Sequence, residues 1–152
     1  MKKNIIAGQS GGPTAVINAR LYGVIEEGLS RAGEVGTKYG MINGMEGFPS
    51  GHLMDLSAAL SPEDRGLLKH TPGAYLGSCR HKLPQNMDSP VYPLLFEKLA
   101  SMDIGALFYI GGNDSMDTVE KLSRYGELCH SSISFIGVPK TIDNQLPVTD
   151  HT

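Results

Sequence analysis

The sequence has no tryptophan, few aromatic residues and only two cysteines, Cys79 and Cys129, in 152 residues. Two widely separated thiols supply neither a disulfide framework nor the paired spacing of a zinc site. No apolar run approaches the roughly 20 residues that a helix needs to cross a bilayer. The opening "MKKNIIAGQS" also lacks the apolar stretch of a signal peptide. A formal net charge of −3 gives no reason to expect nucleic acid or an anionic membrane as partner. There is no internal repeat and no low-complexity tract. What remains is a cytoplasmic globular chain, with 40% hydrophobic residues and enough length for one domain with a real core.

Glycine is the abundant residue, with 19 copies, many beside apolar runs. Such clusters mark turns, and they also let a backbone approach a ligand. The run 4–8 reads as a buried strand, and 9–12 as a turn. From Pro13 the pattern is helical: Ile17, Leu21, Val24 and Ile25 share one face, with Gly28 as the stop. A second strand is expected over 34–41. The stretch 42–56 is too rich in glycine for a helix and reads as turns and short strands. "SPED" (61–64) carries a serine cap, a proline at the first helical position and acids in the first turn.

Residues 75–85 read as a loop bearing Arg80, His81 and Lys82. Leu95, Leu99 and Met102 mark a helix face after Pro93. Then come a strand (106–110), the turn "GGNDS" (111–115), a helix (116–128) and a strand (132–138). Strands alternating with helices predict an α/β fold, a Rossmann-like three-layer parallel sheet with helices on both faces.

Open parallel sheets place their sites beyond the carboxyl ends of the strands. Three turns fall there: "SGGPT", "GGNDS" and "PKTIDN". The amides of Gly11 and Gly12 are placed to face an anion at a helix start. "GGNDS" repeats that geometry, with Asp114 or Ser115 available as helix cap. Each of these two turns, taken alone, also reads as a plain strand-to-helix connection. In "PKTIDN", Thr141 and Asp143 straddle one apolar residue, so an extended backbone points them to the same side. With Lys140 they bring a cation, a hydroxyl and a carboxylate to one place. Phosphoryl transfer to an alcohol asks for that set: charge neutralisation, positioning and a proton acceptor. Arg80 offers a further phosphate contact.

Five stretches, in order along the chain, resemble the phosphofructokinase family. They are "SGGPTAVIN" (10–18), "YLGSCRHKL" (75–83), "YIGGNDSMD" (109–117), "IGVPKTIDN" (136–144) and "TDHT" (149–152). The family's chains are about twice as long. The resemblance therefore implies that residues 1–152 are a phosphoryl-donor-binding amino-terminal domain, cut short, without the sugar-phosphate half. Such a fragment is expected to be inactive alone.

Residue by residue, the resemblance implies that the Gly11 amide contacts the transferred phosphoryl group. Gly12, Gly112 and Ser115 complete the donor loops, and Arg80 binds donor phosphate. Asp143 takes the proton from the sugar 1-hydroxyl, with Thr141 and Lys140 beside it. Asn113 and Asp114 are the metal candidates for Mg²⁺. ATP-dependent members usually have glycine where this chain has Asp114 and Lys140, and pyrophosphate-dependent members resemble it at both. A carboxylate at 114 repels a nucleotide α-phosphate, and a lysine at 140 neutralises a small polyanion.

The implied substrates are pyrophosphate, or ATP as alternative, with fructose 6-phosphate as acceptor, in a homo-oligomeric protein. Two positions depart from the pattern: Asn113 and Gln145 stand where the family commonly has aspartate. An amide ligates Mg²⁺ without a carboxylate's charge. A non-catalytic phosphate- or nucleotide-binding module is the reading these two residues favour.

Overall fold

The computed structural model describes residues 1–12 and 14–140. Five strands, β1 (Lys3–Gln9), β2 (Val35–Met41), β3 (Leu53–Asp55), β4 (Ile104–Gly111) and β5 (Ser134–Pro139), form one sheet in the order β3-β2-β1-β4-β5. β1 pairs in parallel with β2 and β4, and β4 with β5. The short edge strand β3 runs antiparallel to β2, so the expected all-parallel sheet is parallel except at one edge. β1 is central and covered on both faces, which explains its unbroken apolar run "IIA".

Strand alternation feeds two separate cores. On one face Ile6, Leu107 and Tyr109 pack with Tyr92, Leu95, Phe96 and Leu99 of α5 (Val91–Ser101) and Leu122 of α6 (Asn113–Leu128). On the other, Ala7 and Ile110 pack with Ile17, Leu21 and Ile25 of α1 (Ile17–Ser30) and with Leu56, Leu60 and Leu68. Leu56 starts the single-turn α3 (Leu56–Ala59), and Leu68 ends α4 (Pro62–Leu68). Helices therefore cover both faces, as the alternating pattern predicts. α4 has the predicted start: Ser61 Oγ accepts from Asp64 N at 3.1 Å, and the Asp64 carboxylate accepts from Ser61 N at 3.4 Å.

Several boundaries differ from the sequence reading. α1 begins at Ile17, not at residue 13; Pro13 lies outside the described residues. Gly11 has φ +79°, a conformation no right-handed helix continues. Nor does α1 stop at Gly28. There a Cβ would sit 3.1 Å from both the Ile5 Cδ1 and the Lys38 Cγ, so the glycine serves close helix–sheet packing and the helix runs on to Ser30. Residues 42–56 do contain helix: one turn, α2 (Gly44–Gly47), and a 3-10 turn at Phe48–Ser50. Backbone bonds from Gly47 N to Asn43 O and from His52 N to Gly47 O close these turns. At one-turn length such local bonds outweigh propensity.

Candidate active site

The chain moves outward from β1 to β2 and β3 on one side, then crosses to β4 and β5 on the other. The switch point is thus between β1 and β4. α1 follows β1 on one face and α6 follows β4 on the opposite face. Their diverging starts open a crevice at the carboxyl edge, where open α/β sheets place ligands.

Three backbone segments close on each other in this crevice. Ser10 N donates to Ile110 O at 2.9 Å, and Lys140 N donates to Gly111 O at 2.9 Å. The Lys140 side chain turns back over the first loop, and its Nζ donates to the Gly12 carbonyl. A Cβ on Gly11 would lie 3.7 Å from that Nζ and 4.0 Å from Gly112 N. Beneath them the Ser10 and Ser115 hydroxyls hydrogen-bond, tying the β1 loop to the first turn of α6. Both serines are buried.

Of the predicted residues on described positions, Gly11, Gly12, Gly112, Asn113, Asp114, Ser115 and Lys140 lie on this edge, and Arg80 is exposed on the loop over residues 71–83. Two readings of them need correction. Neither Asp114 nor Ser115 caps α6: the N-cap is Gly112, without a side-chain bond, and both residues lie inside the helix. The helix begins at Asn113, and the Ser115 hydroxyl bonds to Ser10 instead of to a backbone amide of its own helix start. Gly11 N, expected to face an anion, donates to Cys79 O at 3.0 Å. That bond docks the 71–83 loop, and with it Arg80, against the first loop. Ser78 Oγ donates to the Gly11 carbonyl at the same junction. Thr141 and Asp143, like Gln145 and "TDHT", lie outside the described residues.

Among the described residues, positive groups gather at the crevice. Lys140 is only 4% exposed. Burial first, and the charge of Arg80 second, hold its pKa below the ordinary lysine range. The uncapped amino end of α6 adds the positive end of its dipole. Lys82 reaches Asp114 at 3.7 Å, but both are well exposed, so the pair contributes little stability. Among the described residues, no three of His, Cys, Asp and Glu cluster as metal ligands.

Sequence reasoning missed the supports beneath the loops. Tyr109 is buried, its hydroxyl accepting from Met45 N at 3.2 Å and lying 3.6 Å from Cys79 Sγ. Burial pushes its phenol pKa up. Lys121, also buried, donates to Leu83 O at 2.9 Å and pairs with Asp117 at 2.7 Å, holding the far end of the Arg80 loop. Polar residues in otherwise apolar positions were the available signal.

The sequence model of the phosphofructokinase family matches residues 4–152. The chain belongs to that family. It is 40% identical over 149 residues to a pyrophosphate–fructose 6-phosphate 1-phosphotransferase of Methylococcus capsulatus, covering 97% of this chain and 35% of the relative. An ATP-dependent 6-phosphofructokinase of Vibrio campbellii is 34% identical over 154 residues, covering all of this chain and 43% of that one. The crystal structure of a pyrophosphate-dependent phosphofructokinase from Nitrosospira multiformis superposes with a TM-score of 0.89 at 41% identity, over 97% of this chain and 36% of that one. The chain thus spans about a third of the length of its pyrophosphate-dependent relatives, not the half that the resemblance implies. Among the described residues, no helix is long and apolar enough to cross a membrane.

Proposed function

We propose that this chain is the phosphoryl-donor part of a pyrophosphate-dependent 6-phosphofructokinase. The full-length protein would transfer a phosphoryl group from pyrophosphate to the 1-hydroxyl of fructose 6-phosphate, giving fructose 1,6-bisphosphate and phosphate. The observation that carries this reading is the convergence of Lys140, the Gly11–Gly12 loop and the α6 amino end at the sheet's switch point, with the charge of Arg80 acting on the same lysine. Two cations and a helix dipole at one edge favour a compact polyanion.

In the reaction, Lys140 and Arg80 hold the donor phosphates. Asp143 accepts the 1-hydroxyl proton as the new P–O bond forms. The bridging P–O bond of pyrophosphate breaks, and phosphate leaves with the electron pair. Thr141 positions the transferred group. In phosphoryl-transfer sites Mg²⁺ is held by one or two carboxylates together with the substrate's own oxygens, and the exposed Asp114 carboxylate offers one. Asp114 and Asn113 would hold it, and it supplies charge neutralisation.

The ATP-dependent alternative has support in relatives such as that of Vibrio campbellii. Asp114 and Lys140 weigh against it, because a carboxylate there repels an α-phosphate and a buried lysine suits a donor without an adenosine anchor. Asp114→Gly in the full-length protein is expected to raise ATP use from a very low base, and Lys140→Gly to depress pyrophosphate turnover. A wild-type protein that prefers ATP in that assay rejects the donor assignment, whatever the variants do. Residues 1–152 alone are expected to show no turnover.

Lys140 also predicts a pH dependence. An adjacent anion offsets both burial and the Arg80 repulsion, so donor binding raises the lysine pKa. Affinity is then full below the free-protein pKa and declines as pH rises through it. The alkaline rise in donor KM should begin below about 10.4, the ordinary lysine value. Lys140→Arg should remove that rise, because guanidinium stays charged. Identical KM–pH profiles for the two proteins would count against the assignment.

A further inference from the structure

We infer that Gln9 is a positioning residue for the donor site, setting the 71–83 loop, and so Arg80, against the Gly11–Gly12 loop. The inference rests on the reading of this edge as a phosphoryl-donor site, whichever donor is used. Gln9 is the last residue of β1 and is wholly buried. Its Nε2 donates to Asn18 Oδ1 at 3.1 Å and to Ile17 O at 3.3 Å. Its Oε1 accepts from Leu76 N at 2.9 Å. Asn18, buried at the start of α1, extends the contact: its Oδ1 accepts from Tyr75 N at 2.8 Å, and its Nδ2 donates to Thr71 O at 2.9 Å.

The two amides thus hold three backbone groups of a segment that has no helix or strand of its own. Two further backbone bonds complete the docking: Asn43 N to Leu76 O at 2.9 Å, and Gly11 N to Cys79 O at 3.0 Å. Arg80 follows directly. An apolar residue at this position would leave Leu76 N, Ile17 O and Asn18 Oδ1 without the bonds that Gln9 makes to them. Gln9 sits between the strand end, the helix start and the cation-bearing loop, and each of its polar atoms reaches a different one of the last two.

Orientation is what the pair fixes. Each amide has one donor and one acceptor end, and the pattern closes only one way round. Gln9→Glu keeps the shape and the acceptor for Leu76 N. It loses the donor, so a carboxylate oxygen faces the Asn18 Oδ1 and the Ile17 carbonyl. Burial raises that carboxyl's pKa, and protonation restores an O–H donor.

The test uses the full-length protein with Gln9→Leu, Gln9→Glu and, as a control for destabilisation alone, Leu99→Ala in the opposite core. Donor KM, acceptor KM, kcat and melting temperature are measured from pH 5 to pH 8. Gln9→Leu is expected to raise donor KM by roughly tenfold, the equivalent of one lost buried hydrogen bond, with acceptor KM nearly unchanged. Gln9→Glu should show the same defect at pH 8 and recover as pH falls, while wild type shows no such recovery.

A defect shared equally by both substrates overturns the inference. So does the same donor KM rise in Leu99→Ala, or a pH-independent Gln9→Glu. The last result decides the matter alone if Gln9→Leu does not fold. Wild-type turnover with neither pyrophosphate nor ATP sinks the functional reading instead. Positioning is then read from amide hydrogen exchange: faster exchange in Gln9→Glu confined to residues 9–18 and 71–80 supports it, and a uniform change refutes it.

Discussion

Asp143→Asn in the full-length protein is expected to lower kcat by roughly 10²–10⁴-fold, the usual worth of a positioned base. An alcohol is barely acidic in water, and it gives up its proton only when the base is within hydrogen-bond reach and the developing charge is neutralised. Asparagine keeps the shape and removes the basicity. The proton moves in the chemical step, so the loss should fall on kcat, with both Michaelis constants changing much less. Asp114→Asn should instead disturb donor or metal affinity. If Asp143 only shaped a turn, asparagine would serve equally well. A folded Asp143→Asn enzyme within a few-fold of wild-type kcat would remove the base from the mechanism.

Gly111→Ala is the second large effect. Gly111 ends β4, and its carbonyl accepts from Lys140 N. A Cβ there would collide with the Ser115 Oγ, lie 2.5 Å from the Ser115 Cβ and 2.8 Å from the Ser10 carbonyl oxygen. The serine rotamer can change, but the Ser10 carbonyl is backbone at the start of the Gly11–Gly12 loop. Relief therefore moves β1 away from β4 at the switch point and breaks the Ser10–Ser115 bond. Overpacking of this kind costs about 1–3 kcal/mol, and a thermal melt should show it. Donor KM should rise with it, because all three loops meet here. A Gly111→Ala, Ser115→Gly double variant removes the Ser115 collision but leaves the Ser10 carbonyl. It should recover stability only in part. Full recovery of both stability and donor KM would mean that the backbone contact carries no weight.

Much of the architecture was legible because it is written in local pattern. The apolar run of β1 and the shared face of Ile17, Leu21 and Ile25 need no long-range information. The Ser61–Asp64 cap was legible for the same reason. The turns at the carboxyl edge were legible because strand-then-glycine is a local signal. What escaped depends on residues distant in sequence. Gly28 reads as a helix stop until Ile5 and Lys38 are seen against it. Gly11 reads as an anion donor until Cys79, brought in by a loop, takes its N–H. The Gln9–Leu76 bond spans 67 positions, and no spacing rule reaches that far. Gln9 itself reads as the first residue of the 9–12 turn, whereas it ends β1 and is buried.

The identity of the donor decides the function proposed for this chain. Phosphorus NMR of the full-length protein with Mg²⁺ and fructose 6-phosphate, supplied with pyrophosphate or with ATP, follows each phosphate directly. The pyrophosphate signal should be lost while phosphate and fructose 1,6-bisphosphate appear together, with ATP left essentially intact. Consumption of ATP with pyrophosphate untouched would contradict the donor assignment.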